Sequence, residues 1–156
     1  MLMTRAELSV VESSSGRVLP CVVEGRLSAD GSSWVLRLTA DGVNALTGDG
    51  FDCEEALQVL RSRLESRGLL LLCNRFRRDA LATSLSRQMS GGLSCYLVRT
   101  RADLDSESLV ECLGPADRAA VVSASEAVAF IETWQAWFEK PAFLRWIDQS
   151  LRRRVC

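Results

Sequence analysis

The sequence predicts an α+β domain built around a mainly antiparallel sheet of about six strands. Three observations lead there: strand-like segments joined by short turns open the chain, one amphipathic helix interrupts them, and the other helices come last. Helices segregated between and after antiparallel strands are typical of this class. The predicted order β-β-β-α-β-β-β-α-α places one helix between strands 3 and 4 and packs two C-terminal helices on the sheet. Residues 1–156 contain no linker-like segment and are expected to form a single domain.

The first three strands are predicted from runs of apolar and β-branched residues separated by turn residues. They are predicted at Glu7–Ser13, Val18–Leu27 and Trp34–Ala40. The third alternates apolar and polar residues, as a strand with one face in the core does. Asp30-Gly31 before it is a strong hairpin signal. Pro20 has no N–H for a ladder, so the second strand is expected to begin there or to lie on an edge.

The clearest helix runs from Asp52 to Gly68. Asp52 and Glu55 form a capping pair at its start, and Gly68 ends it. Its apolar stripe at helical spacing consists of Cys53, Ala56, Leu57, Leu60 and Leu64. The segment before it, Asp41–Gly50, contains three glycines and is predicted to be a solvated loop.

Three further strands and two helices complete the prediction. The strands are expected at Leu69–Arg75, Leu93–Thr100 and Leu109–Gly114. The first of them is short and apolar, which predicts a buried strand at the centre of the sheet. A helix capped by Ser123 or Ser125 follows, Pro141 ends it, and a short third helix closes the chain.

Charge and hydropathy narrow the classes of function. The net charge of −1 provides no global field to attract nucleic acid or an anionic membrane. The longest apolar run, Gly68–Cys73, is far too short to span a membrane, and Met1–Val11 lacks the apolar core of a secretory signal. A cytoplasmic protein with no membrane association is therefore expected.

The chain has six cysteines and no histidine. The wide cysteine spacings, without a secretory signal, predict reduced structural thiols over a disulfide framework. The spacings contain no CxxC pair and give little support to a zinc site. We therefore expect no cofactor and no metal ion.

Residues suited to catalysis are scarce. Without histidine there is no Ser-His or Cys-His nucleophile pair and no histidine base. The carboxylate pairs Glu54-Glu55 and Asp103-Asp105 are expected to be solvated. The glycines of Gly91-Gly92 precede a strand, whereas a phosphate loop precedes a helix. The sequence therefore predicts a protein that is not an enzyme.

The segment Asn74–Gly92 carries four arginines and one aspartate, a local charge of +3. Leu81, Leu85 and Met89 recur at i, i+4 and i+8, which predicts one side of a short amphipathic helix. Its arginines either face water above the sheet or contact a partner, a role for which the guanidinium fork is well suited. Aromatic residues are not interleaved with these arginines as stacking platforms, which argues against nucleic acid.

The same region resembles a known kind of protein. The residues "LLCNRFRRDALATSLSRQMSGGLSCYLVR" (Leu71–Arg99) are similar to a pattern in small stand-alone bacterial proteins that resemble immunity proteins of polymorphic toxin systems. The resemblance covers Phe51–Thr100. The matching positions are Arg78, Asp79, Ser84, Met89 and Tyr96.

Two positions depart from that pattern. Leu85 stands where a methionine is expected, and Ser90 stands where a glycine is often found, so conservation of the loop conformation is in doubt. The resemblance implies a bacterial cytoplasmic protein that neutralises a toxin, and it implies no catalytic residues.

Three functions follow from these observations, in order of preference. The first is an immunity or antitoxin-type protein that neutralises a cognate toxin by direct binding. The alternative is a cytoplasmic chaperone for a secreted effector, with an arginine-patch nucleic-acid-binding protein third. A monomer and a homodimer both remain open. The residues expected to contact the partner are Arg75, Arg77, Arg78, Asp79, Ser84, Arg87, Met89 and Tyr96.

Overall fold

The structure is a computed structural model and describes residues 1–98 and 108–139. Within these ranges the strands are β1 Leu2–Glu12, β2 Val18–Leu27, β3 Trp34–Ala40, β4 Val43–Gly50, β5 Leu69–Leu71, β6 Ala80–Leu81, β7 Ser94–Leu97 and β8 Leu109–Glu111. The helices are α1 Cys53–Glu65, α2 Ser84–Ser90 and α3 Ala124–Glu139, with a short 3-10 helix at Asn74–Phe76. The predicted α+β class is confirmed.

The strands form two antiparallel sheets where the sequence predicted one. The larger sheet has the order β4-β3-β2-β1-β5, and the smaller one has the order β6-β7-β8. The isolated bridges Cys73–Pro115 and Arg77–Val121 connect the segments that flank the smaller sheet. The difference arises because the chain after β5 turns away through the 3-10 helix and does not continue along the larger sheet.

The first hairpins follow the prediction closely, since β2 and β3 have the expected bounds. Gly31 takes a φ of +71° in the turn between them, the left-handed conformation that glycine adopts readily. The expectation for Pro20 was wrong, because it lies inside β2 opposite Ser9 and β2 is in the middle of the sheet. The β2–β3 pairing begins only at Cys21, so the chain at Pro20 is flanked by β1 alone.

The expected loop at Asp41–Gly50 is instead the edge strand β4. It pairs with β3 through a turn in which Gly42 has a φ of +72°. Gly48 lies directly under α1, where an added Cβ would come within 2.6 Å of the Leu60 backbone nitrogen. The glycines therefore reflect the close approach of a helix to a strand, a cause that composition alone does not distinguish from a loop.

The helix α1 covers the inner face of the larger sheet. Its predicted stripe is buried in full, and it packs against buried residues of β3 and β4 that include Leu36, Leu38 and Leu46. Burying each leucine contributes roughly 1.5–3 kcal/mol. Asp52 caps the helix, accepting the Glu55 N–H at 2.8 Å, as predicted.

The apolar segment after α1 is shorter as a strand than expected and lies elsewhere. The strand β5 ends at Leu71 and occupies the edge beside β1, not the centre of the sheet. Leu69 and Leu71 are buried in the core against α1. Beyond the strand, Asn74 N–H donates to Gly114 O and Arg75 N–H to Cys112 O. The apolar composition therefore predicted correctly that the strand is buried, but the predicted position at the centre of the sheet was wrong.

The segment Asn74–Gly92 does not form one amphipathic helix. Leu81 lies in β6 opposite Tyr96, and within the segment only Ser84–Ser90 is α-helical. The helix begins there because Thr83 and Ser86 form a reciprocal capping box.

The remaining elements agree with the prediction in type and are shorter. The strands β7 and β8 lie within Leu93–Thr100 and Leu109–Gly114, although Arg99 and Thr100 are outside the described residues. Ser123 caps α3, and Glu126 reciprocates by accepting the Ser123 N–H at 2.9 Å. The third helix expected after Pro141 lies outside the described residues. No helix in the described ranges has both the length and the apolarity needed to cross a bilayer.

The cysteines of the described ranges are buried free thiols, at positions 21, 53, 73, 95 and 112. They occupy the core as small apolar side chains, as predicted. Burial raises the pKa of Cys21 to about 11 and the pKa of Cys53 to about 12, so both thiols are protonated at neutral pH. These two side chains are therefore packing residues.

Candidate functional site

The candidate site lies where the start of α1 meets α2. The Cys53 N–H donates to Gly91 O at 2.9 Å, and Arg87 Nε donates to Asp52 Oδ2 at 2.7 Å. Gly92 has a φ of +82° and lies so close to α1 that an added Cβ would be 3.2 Å from the Cys53 nitrogen. These contacts hold α2 against the first turn of α1 and leave its other side in solvent.

A cleft of about 410 Å³ opens between the two helices. Its size lies in the range of sites that hold a small ligand or one large side chain. The lining residues are Trp34, Phe51, Asp52, Ser84, Arg87, Gln88 and Gly91.

Large apolar side chains are exposed around this cleft. Phe51 is 82% exposed, Met89 is 80% exposed and Leu85 is 58% exposed. Leu85 and Met89 are four residues apart on α2 and therefore share one side of the helix, while Phe51 lines the cleft with Ser84 and Gln88. We refer to this region as the α2 surface and define it as Phe51, Ser84, Leu85, Arg87, Gln88 and Met89.

The exposure of Phe51 departs from the usual packing at a helix start. Phe51 precedes the cap Asp52, a position where an apolar residue often packs on the fourth helical residue. Here that fourth residue is Ala56, which is fully buried beneath the Gly50 backbone. Phe51 therefore has no staple partner. Sequence reasoning missed Phe51, although a large apolar residue ahead of a cap with only alanine at the staple position is a readable signal.

The predicted contact residue Arg75 is part of the protein interior. Arg75 Nε and Nη2 donate to the two carboxylate oxygens of Glu54 at 2.7 and 2.6 Å. Glu54 is only 5% exposed, so the expectation that it is solvated was wrong. Burial disfavours the charge on Arg75, but the Glu54 carboxylate outweighs it and raises the pKa of Arg75. The pair joins α1 to the segment that leads into the smaller sheet.

Arg61 on α1 is also buried, at 3% exposed. Its Nη2 donates to Val122 O at 2.7 Å, its Nε donates to Glu65 Oε1 at 3.1 Å, and its guanidinium lies 4.5 Å from the centre of the Phe76 ring. Burial lowers the pKa of Arg61, an effect that Glu65 opposes. Arg61 fastens α1 to the chain that precedes α3 and has no role at the surface.

Two other predicted residues, Arg77 and Asp79, pair with each other at 2.8 and 2.9 Å. Arg78 between them is exposed, and its backbone N–H donates to Ala120 O. Tyr96 is half-buried in β7. The structure thus brings Ser84, Arg87 and Met89 together on the α2 surface, and it separates from them Arg75, Arg77, Arg78, Asp79 and Tyr96.

Asp52 links helix capping to the position of Arg87. Burial acts to raise the pKa of Asp52, but the hydrogen bonds from Arg87 and from the Glu55 N–H hold this pKa below its ordinary value of 3.8. A carboxyl group with a lowered folded-state pKa stabilises the protein above its unfolded-state pKa, and this stabilisation is lost as the pH falls through the folded-state value.

We expect Asp52→Asn to destabilise the protein by roughly 1 kcal/mol at pH 7. Asparagine retains the cap hydrogen bond, so the loss reports the charge paired with Arg87. Urea unfolding of both proteins between pH 3 and pH 7 checks this result. The difference in the free energy of unfolding between the wild type and the variant should shrink as the pH falls below 3.8. A difference that does not change with pH would contradict the pairing of Asp52 with Arg87.

No protein-family model matches the chain, and no curated protein matches it. Within residues 1–98 and 108–139, no group of three or more cysteine, aspartate and glutamate side chains is arranged to hold a metal ion.

Proposed function

We propose that this protein is a non-catalytic binding module that contacts a protein partner through the α2 surface. The observation that carries the proposal is the exposure of Phe51 in the cleft together with that of Leu85 and Met89 on α2, the helix that lines the cleft. Contiguous apolar side chains with a polar border mark interaction sites on soluble proteins. Phenylalanine, methionine and arginine are also enriched at protein interfaces.

The function we favour is neutralisation of a bacterial toxin by direct binding. The α2 surface lies within Phe51–Thr100, the part of the chain that resembles immunity proteins. Two of the matching positions, Ser84 and Met89, are on this surface. A rigidly held apolar surface is suited to masking a folded partner, because little conformational entropy is lost when it binds.

A chaperone for a secreted effector is the second candidate, and the apolar character of the cleft favours it. Such a protein would hold an unfolded segment of its client, whereas an immunity protein would bind a folded toxin domain. The two are separated by testing the purified partner: binding that requires the folded domain supports toxin neutralisation, and equal binding to its denatured chain supports the chaperone.

The ion pairs weaken the case for nucleic acid. Arg75, Arg77 and Arg87 each pair with a carboxylate, so the local charge of +3 is not presented as one cationic surface. Phosphate contacts require cations that are free to replace counterions. We therefore do not propose nucleic acid as the partner.

The test is a binding measurement with the partner captured from the native host and then purified. We expect the triple variant Phe51→Ser, Leu85→Ser, Met89→Ser to lose at least about 100-fold in affinity, since single buried anchors contribute 2 kcal/mol or more. The matched control is Met3→Ser, Val18→Ser, Val128→Ser, which removes three exposed apolar side chains elsewhere.

Calorimetry of both variants decides the outcome. The control should bind as the wild type does. Equal affinities of the two triple variants would contradict the proposed surface. For a toxin partner, co-expression in bacteria supplies the second readout, because the control should protect the cells and the α2 variant should not.

A further inference from the structure

The cleft beside α2 has the chemistry to recognise a particular kind of partner residue. Its walls include the Trp34 and Phe51 side chains. Trp34 is anchored, since its ring packs against Gly25 on β2 and the residue is buried, while Phe51 is open to solvent. Two aromatic side chains beside a cleft of about 410 Å³ suit an inserted aromatic ring, which gains both buried area and ring–ring contacts.

The polar side of the cleft offers hydrogen-bond donors. Arg87 uses only its Nε in the pair with Asp52, and within residues 1–98 and 108–139 its Nη1 and Nη2 have no hydrogen-bond acceptor. Arg87 lines the cleft, and its side chain is 41% exposed. Guanidinium groups bind carboxylates through two parallel hydrogen bonds.

The acidic groups near the cleft accept hydrogen bonds from the protein itself. Asp52 uses Oδ1 to accept the Glu55 N–H and Oδ2 to accept Arg87 Nε, and its side chain is only 13% exposed. Glu55 Oε2 accepts the Phe51 N–H at 2.7 Å. Asp52 is therefore fully engaged within the protein, whereas Glu55 remains exposed with one oxygen bonded to Phe51 N–H. The remaining donors of Arg87 can bind an acceptor on the ligand. An anionic group on the ligand complements the guanidinium.

From this juxtaposition we infer that the cleft binds an aromatic side chain of the partner whose neighbouring carboxylate pairs with Nη1 and Nη2 of Arg87. The inference rests on the proposed function and specifies the residue that the α2 surface recognises. Asp52 then acts as a positioning residue, because its hydrogen bond to Nε sets the direction of the guanidinium plane.

Small-molecule probes test this inference without the partner. N-acetyl-L-tryptophan carries the ring and the carboxylate, N-acetyl-L-tryptophanamide carries the ring alone, and N-acetylglycine carries the carboxylate alone. Titrations followed by ¹H–¹⁵N NMR should shift the Arg87 Nε–H and Gln88 side-chain signals. We expect the acid to bind roughly tenfold more tightly than the amide, as a charge-assisted hydrogen bond provides.

Variants identify the source of that preference. Arg87→Met should abolish the difference between acid and amide, and Phe51→Ala should weaken both tryptophan probes while keeping the difference. Arg87→Lys retains a positive charge to pair with Asp52 but lacks the planar fork, so it should reduce the preference even if Arg87→Met proves unstable. Acid and amide of equal affinity, shifts confined to another part of the protein, or a preference that survives in Arg87→Lys unchanged would each overturn the inference.

Two outcomes separate this inference from the proposed function. If the partner requires Phe51, Leu85 and Met89 but the probes show no preference for the carboxylate, the binding surface stands and the ligand chemistry is wrong. If the probes bind as expected but the partner binds the triple variant as tightly as the wild type, the proposed function is wrong. Sedimentation of the wild type and the triple variant tests whether a second copy of this chain occupies the cleft instead. A dimer that only the wild type forms would show that it does, and would overturn the inference.

Discussion

Arg75→Ala will destabilise the protein by roughly 3–5 kcal/mol, the loss typical of breaking a buried ion pair. The change leaves the Glu54 carboxylate buried with Gln58 Nε2, 3.0 Å from Oε1, as its remaining side-chain donor in the described residues. It also removes the connection between α1 and the 3-10 helix that leads into the smaller sheet. Urea unfolding followed by circular dichroism measures the loss.

Two comparisons make the Arg75 result specific. The double variant Glu54→Leu, Arg75→Met should recover most of the lost stability, because it removes both charges and keeps apolar volume. Arg77→Ala breaks the partly exposed pair with Asp79 and should cost no more than about 1 kcal/mol. A loss for Arg75→Ala as small as that for Arg77→Ala would show that the buried pair does not stabilise the fold.

Gly48→Ala will destabilise the protein by more than about 3 kcal/mol, above the usual range for overpacking. The new Cβ would lie 2.6 Å from the Leu60 backbone nitrogen and closer still to the Ala56 carbonyl oxygen. Both atoms belong to the backbone of α1, so no side-chain rotation relieves the contact. The helix has to move away from β4 and lose part of its buried apolar contact with the sheet.

Gly42→Ala is the matched control for this steric effect. Gly42 has a φ of +72° and no atom within 4 Å of an added Cβ, so alanine there meets conformational strain alone, at about 1–2 kcal/mol. Thermal and urea unfolding of both variants should rank Gly48→Ala well below Gly42→Ala in stability. Equal stabilities would mean that α1 adapts to the extra methyl group and that the close approach is not required.

These two predictions also affect how the α2 surface is tested. Glu54 follows Cys53, whose N–H holds the loop after α2 through Gly91 O. A variant that removes Arg75 together with surface arginines would therefore disturb the site through the fold. Changes at Phe51, Leu85, Met89 and the guanidinium of Arg87 address binding more directly, because these side chains are accessible at the surface.

The sequence alone determined the features that depend on local patterns. Alternation and turn residues predicted β2 and β3, and a cap followed by apolar residues at helical spacing predicted α1. The start of α3 was predicted for the same reason, with Ser123 or Ser125 as the cap, and Ser123 is the residue that caps it. Each of these signals acts between residues a few positions apart, where propensity, capping and amphipathicity are sufficient.

Only the tertiary structure decided which residues are available to a partner. The Glu54 carboxylate that pairs with Arg75 is 21 positions away in the sequence, and the Asp52 carboxylate that pairs with Arg87 is 35 positions away. Gly48 reads as a loop residue until α1 is placed over it. Phe51 is exposed because Ala56, the residue at the staple position, is buried beneath the Gly50 backbone and is not available to pack against it. Charge and apolarity are visible in a sequence, but whether a side chain is paired, buried or exposed depends on contacts between distant segments that leave no local pattern.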